Sequence, residues 1–216
     1  LIKDEARVTV LGVPDRPGAA NQIFSSLGAK NIGLDMVAQN VAAEGRADIS
    51  FTVQRDELNS TLRVVEEVVK EIGAEGITHD DSVSKVSIVG LGMMTQPGVA
   101  QRMFQALAEK GINILMITTS EIKISVLVAR DYAIEALRTV HEVFDLSSEP
   151  AGIEEVADLG TLANAERDRA LARLEGMEEL IIDEIALDVS QARITLPKVP
   201  DTPGLAAQVF DEVAEN

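Results

Sequence analysis

The stretch ARVTVLGVPDRPGAANQIF, Ala6 to Phe24, decides the fold. It opens on a β-rich run, Val8, Val10 and Leu11, which Gly12 to Asp15 interrupt. Asp15 then reads as a helix N-cap, and Pro17 suits a first helical turn, where its missing N–H is no loss. Gly18 allows the backbone to approach a neighbour closely. Ala20, Ile23, Phe24 and Leu27 recur at helical spacing on one face. The unit is therefore strand, Pro-Gly turn, helix.

That unit recurs. ARITLPKVPDTPGLAAQVF, Ala192 to Phe210, matches it without gaps at 11 of 19 positions. A third copy, KVSIVGLGMMTQPGVAQRMF, runs from Lys85 to Phe104 and needs two extra residues in the turn. Self-similarity at this scale marks a repeated structural module. After the first copy, 32–41 reads as a strand and 46–54 alternates as a half-buried strand. A helix follows over 56–72, with Leu58, Leu62, Val65, Val68 and Val69 on its apolar side, and 76–79 reads as a short fourth strand. The first module is thus β-α-β-β-α-β, spanning 5–82. The second, 83–146, has strands at 86–89, 112–119 and 122–129 and helices at 97–110 and 132–144, but no fourth strand. Residues 147–179 read as a linker with a helix. LIIDEIAL, 180–187, reads as a strand that fills a sheet edge, and 180–216 as that strand plus the start of a third module. The expected class is α+β, with tandem ferredoxin-like βαββαβ modules whose antiparallel sheets carry helices on one face. The uncovered face or edge of such sheets favours side-by-side pairing of modules.

Composition narrows the function. The formal net charge of -17 opposes binding to phosphate backbones or anionic lipid. Aromatic residues make up 3% of the chain, with no Trp and one Tyr, so base-stacking platforms are missing. There is no cysteine, which excludes disulfides, thiolate nucleophiles and Cys metal sites. His79 and His141 stand far apart without companions at metal-ligand spacing. Gly90-Leu91-Gly92 hints at a dinucleotide fingerprint, but Thr95 occupies the third glycine position and the next strand carries no acidic ribose ligand. No P-loop, GxSxG or HExxH pattern occurs. Nucleic acid, membrane and metal are therefore not expected partners. The start at Leu1 rather than Met, and the end within a helical pattern at Asn216, read as a piece cut from a longer chain.

The repeated turn offers a better site. A helix start beside glycine presents backbone N–H groups suited to a carboxylate. Asp15, and Asp201 in the third copy, lies next to it and either caps the helix or accepts an ammonium group. A carboxylate acceptor beside an ammonium acceptor describes an α-amino acid.

Three stretches resemble the ACT-domain regulatory region of the aspartate kinase family. They are VTVLGVPDRPGAANQIF with LDMVAQNV, then KVSIVGLGMMTQPGVAQRMFQALAEKGINILMITTSEIKISVLV, and the helix ending LRTVHEVFDL. The resemblance covers 5–146 and resumes from about residue 180. It implies effector binding at interfaces between ACT modules, by lysine, threonine or both, with feedback inhibition of a kinase core lying N-terminal to this region. That core, not this region, would hold ATP and magnesium and phosphorylate L-aspartate; no catalytic residue, cofactor or metal is expected here. By resemblance the effector contacts are Asp15, Pro17, Gly18, Ala19 and Ala20 at the first helix start, with Gln39 and Asn40 on the following strand. In the second module they are Met93, Gln96, Pro97, Gly98 and Val99, the strand entry Asn113 and Ile114, and the TSE element Thr119, Ser120 and Glu121. The family also places the last strand of its second module ahead of the first, which accounts for the missing fourth strand and makes 1–4 the remnant of that connection. A cytoplasmic homodimer through ACT-ACT pairing is implied, from a form with four ACT modules. Two alternatives are modules that only dimerise, with vestigial effector sites, and a bifunctional aspartate kinase–homoserine dehydrogenase. The family usually has Asn where this chain has Gly33, which either retunes the first site or permits a bulge.

Overall fold

The computed structural model describes residues 2–41, 45–90, 93, 96, 98–146, 192–196 and 199–215. Leu1–Phe144 and Thr202–Asn216 form one compact unit, and Asp145–Asp201 a second. In the first unit the elements run β1 (Ile2–Pro14), α1 (Ala19–Gly28), β2 (Val37–Val41), β3 (Arg46–Gln54), α2 (Leu58–Ile72) and β4 (Gly76–Val89). They continue with α3 (Val99–Glu109), β5 (Met116–Thr119), β6 (Lys123–Ala129), α4 (Ala133–Val143) and α5 (Leu205–Glu215). Single 3₁₀ turns, Arg55–Glu57 and Arg130–Tyr132, lead into α2 and α4.

The expected α+β fold is present. One antiparallel sheet has the order β2-β3-β1-β4-β6-β5. Strand alternation sorts its side chains. Ala6, Val8 and Val10 of β1, with Ile49, Phe51 and Val53 of β3, form a core with Ile23 and Leu27 of α1 and Val65, Val68 and Ile72 of α2. Burying each of the Val, Ile, Leu and Phe side chains among them contributes about 1.5–3 kcal/mol. Val86, Ile124, Val126 and Val128 build the second core with Met103, Phe104 and Leu107 of α3 and Ala136 and Val140 of α4. Gly73, at φ 75, ends α2 in the left-handed region that glycine supplies at least cost, and the N–H groups of Gly73 and Ala74 both return to the Val69 carbonyl.

Two features differ from the sequence reading and one agrees with it. The boundary expected at residue 82 falls inside a single strand. The polar run Thr78–Ser82, which resembles a linker, is held in β4: its first part pairs with β1 and residues 83–89 pair with β6. Second, in agreement with the placement of the second module's last strand ahead of the first, the modules share one ladder through β1 and β4. Ile2 pairs with Lys85 and Glu5 with Val83, so the start of β1 flanks β4 where a fourth strand of the second module belongs. Third, Ala192–Leu196, expected as the third copy's strand, forms none; Ile194 is 81% exposed. A strand is stable only in a ladder, and this segment pairs with none among the described residues. The third copy's helix does form: α5 packs on α3, with Phe210 edge-on to Phe104 at 5.0 Å between ring centroids. The strand expected at 180–187 and the helix expected within 147–179 lie outside the described residues.

The faces of the sheet away from the helices also meet. Met36 ahead of β2, Val83, Met116 and Leu127 form a third buried cluster, joined by Ala38 and Leu115. The two modules are thereby closed on each other as well as joined edge to edge.

Candidate functional site

The helix-start loop of the first module is built by glycine and a bulge. The β1–β3 register shifts between Val10 and Val13. Gly12, at φ 58, donates its N–H to Asp48 Oδ1 (2.8 Å), while its carbonyl accepts from Arg46 Nη1 (2.6 Å). Its positive φ favours glycine, and a Cβ there would displace the exposed Glu75 side chain. Glu75 in turn faces Arg46 across 3.5 Å. Beyond the bulge the Asp15 N–H donates to the Gly45 carbonyl (2.8 Å), pinning the loop to the β2–β3 connection.

The helix cap differs from expectation. Gly18, at φ 92, is the N-cap of α1, and no side chain caps the helix. Asp15 is too early to cap it; the Ala19 N–H instead returns to the Arg16 carbonyl at 3.3 Å. Gly98 (φ 87) and Gly204 (φ 90) hold the same conformation, so the glycine of each Pro-Gly turn carries the left-handed residue. A Cβ at Gly18 would meet nothing within 4 Å, so its backbone faces open space.

That space is a cleft of about 370 Å³ lined by Asp15, Pro17, Gly18, Ala19 and Ala20 from the loop and helix start, and by Gln39 from β2. Val13, Pro14, Arg16, Ala47 and Ile49 complete it. Six of the seven first-module residues carried over by resemblance therefore share one wall system. Asn40 does not line it. Gln39 is opposite Ile49 on the helix side of the ladder, whereas Asn40 is opposite Asp48, and alternation sends the two to different faces. Ala47 and Ile49 were readable as cleft residues from the alternation of 46–54; Arg16 carries no such signal. Gly33 lies ahead of β2, outside any ladder, and is not in the left-handed region, so it makes no bulge.

The second module distributes its residues otherwise. Met93, Val99 and Ile114 pack against that module's own buried cluster. Gly98 caps α3, Gln96 is exposed, and Pro97 lies outside the described residues. Asn113 is half-buried in the segment before β5. Thr119 ends β5, and Ser120 and Glu121 form the turn into β6, closed by the Ser120 N–H to the Lys123 carbonyl at 2.7 Å. The Gly90 N–H donates to the Ile122 carbonyl (2.9 Å), so this turn is tied to the end of β4, beside the helix-start loop.

A doubled strand–glycine turn–helix unit, with a cleft at the helix start and a second strand running past it, defines a tandem βαββαβ protein of the ferredoxin-like class. The ACT domain model matches residues 8–69 and 86–144, and the chain belongs to that family. Within it, the chain is similar to the regulatory region of aspartate kinases. It is 47% identical over 150 residues to an aspartate kinase of Stutzerimonas stutzeri, covering 69% of this chain and 36% of that protein. The regulatory subunit of aspartate kinase from Thermus thermophilus, in a ligand-free form, superposes with a TM-score of 0.61 at 42% identity, over 65% of this chain and 93% of that one. Aspartate kinase from Synechocystis superposes over 99% of this chain and 34% of its own, with a TM-score of 0.72 at 26% identity. The chain thus spans about a third of the length of the curated relatives it matches. No helix among the described residues is long and apolar enough to cross a membrane.

Proposed function

We propose that this chain is the effector-sensing part of a cytoplasmic aspartate kinase, and that its first-module cleft takes a free α-amino acid, lysine or threonine. The observation that carries this reading is the convergence of Asp15, the uncapped start of α1 and Gln39 on one cleft. Helix-start N–H groups with a partial positive charge attract the α-carboxylate. The Asp15 carboxylate accepts the α-ammonium, and Gln39 reads side-chain polarity from the facing strand. The chain itself performs no phosphotransfer; ATP, magnesium and aspartate belong to a kinase core elsewhere in the protein. Pairing with another ACT module, in a homodimer, closes the cleft.

An effector inhibits by binding one arrangement of the paired modules better than another, a coupling of about 1–3 kcal/mol. Isothermal titration calorimetry of the 216-residue chain with L-lysine and with L-threonine tests the reading. Binding of at least one is expected, weakened about tenfold or more by Gln39→Ala, since a lost hydrogen bond to a charged or polar ligand group costs about 1.5–3 kcal/mol. A folded sample that gives no heat with either amino acid overturns it.

A further inference from the structure

The repeat places Arg7 and Lys85 at equivalent positions, each one residue before the Val that opens the β-rich run (Val8 and Val86). It likewise makes Asp35 equivalent to Leu115, each one residue before a buried Met (Met36 and Met116). The structure joins these positions crosswise. Arg7 Nη1 of the first module donates to the Leu115 carbonyl of the second at 3.3 Å. Lys85 Nζ of the second module forms an ion pair with the Asp35 carboxylate of the first. Both targets stand at the head of the second strand of their module, held to the strand beside it: Asp35 N–H to the Thr52 carbonyl, Leu115 N–H to the Leu127 carbonyl.

We propose that Arg7 and Lys85 are a reciprocal pair of positioning residues, each holding the head of the other module's second strand. A displacement of one second strand is thereby passed to the other module. The strand held by Lys85 carries Gln39, and the strand held by Arg7 ends in Thr119, so the link runs between the two candidate effector strands; this consequence rests on the cleft reading given above.

Three observations set Lys85 apart from an ordinary surface charge, with the Asp35 carboxylate it reaches 38% exposed at the edge of the contact. Lys85 is 3% exposed and Glu5, its second partner at 3.3 Å, is 1% exposed. Both charges sit beside the Met36–Val83–Met116–Leu127 cluster, and Lys85 is directly opposite Leu127 in the β4–β6 ladder. Among the described residues Glu5 Oε2 has no hydrogen-bond partner, and Lys85 compensates this carboxylate sealed between the modules. A buried charge of this kind permits few arrangements, which suits a two-position device rather than a compliant one. Burial also pushes the Lys85 amine below its usual range, against the opposing pull of Glu5.

Hydrogen exchange of the full chain, read by mass spectrometry without ligand, tests the positioning. Asp35→Asn leaves the Glu5–Lys85 pair intact and is the safe variant. It should speed exchange of residues 35–41 by about fivefold, the size of one net hydrogen bond. The double variant Glu5→Gln, Lys85→Met, which leaves no stranded carboxylate, should do the same, and Arg7→Met should speed exchange of 115–119 in the opposite module. A residue that merely supported its own strand would instead loosen β6 for Lys85 and β3 for Arg7. Exchange that rises only there, or uniformly across the unit, overturns the proposal. With L-lysine or L-threonine bound, protection of 35–41 should be accompanied by protection of 115–119, and Asp35→Asn should abolish only the second. Ligand protection that spreads equally in Asp35→Asn also overturns it. If neither amino acid binds, the cleft reading fails and the exchange pattern of the unliganded variants still decides the positioning.

Discussion

The two modules are copies of one unit put to different uses. In the first, the site residues line an open cleft, and Gln39 faces the helix start across it. In the second, Met93, Val99 and Ile114 point into the module's own core, and α5 covers α3. The equivalent phenylalanines show the contrast. Phe104 is 1% exposed, with Phe210 edge-on to it. Phe24 is only partly buried and contacts Phe51 within its own module at 6.0 Å. A repeat thus preserves the backbone device, a left-handed glycine at a helix start, while side chains decide whether it opens onto a cleft or packs against protein.

The largest expected difference lies at those two rings. Phe104→Ala should cost about 3–5 kcal/mol, since a fully buried ring is removed and its edge-to-face partner is lost. Phe24→Ala, at a half-exposed site, should cost about half as much or less. Urea denaturation of both variants checks this. Equal losses would mean that α5 adds nothing to the second module, and the contrast between the modules would fall.

The crosswise basic residues come next. Lys85→Met strands the Glu5 carboxylate in the interior and should cost about 3–5 kcal/mol. Arg7→Met removes one hydrogen bond to a carbonyl and should cost about 1 kcal/mol. The pH dependence carries a sign. Burial lowers the Lys85 amine below its ordinary value of 10.5, the Lys123 charge acts in the same direction, and Glu5 opposes both. Between the lowered folded value and 10.5 the unfolded chain binds more protons than the folded one. Stability therefore rises with pH through that alkaline window, and below the window the penalty is constant. The double variant Glu5→Gln, Lys85→Met should lack this rise. Denaturation curves with the same alkaline slope in both proteins would remove Lys85 as its cause.

Much of this was legible in the residues. The strand–turn–helix copies, the span of β3 and the apolar side of α2 follow from periodicity, whereas Gln39 beside the repeated turn was implied only by the family resemblance. The β4 fusion was not legible, because Thr78–Ser82 is polar and only pairing with β1 keeps it extended. The helix cap was misjudged because Asp15 has the chemistry of a cap, but Pro17 and Gly18 delay the first helical residue to Ala19. The burial of Glu5 and Lys85 is a property of two sheet faces closing on each other, which no local pattern reports.

The smallest stability effect should carry the sharpest information about the clefts. Gly33 and Asn113 are equivalent positions, and the repeat alone does not say why the first module lacks the amide. Its backbone does not demand glycine: Gly33 is outside the left-handed region, and a Cβ there would meet nothing within 4 Å. Gly33→Asn should therefore change stability by no more than about 0.5 kcal/mol. Any change in affinity for L-lysine or L-threonine then reports the contact that the amide makes or blocks, not a disturbed fold. If the half-buried Asn113 marks an effector contact, supplying its counterpart should tighten binding to the first module in calorimetry. Unchanged affinity in a variant of unchanged stability would place the determinant elsewhere on the cleft, with Gln39 and Asp15 the residues left to carry it.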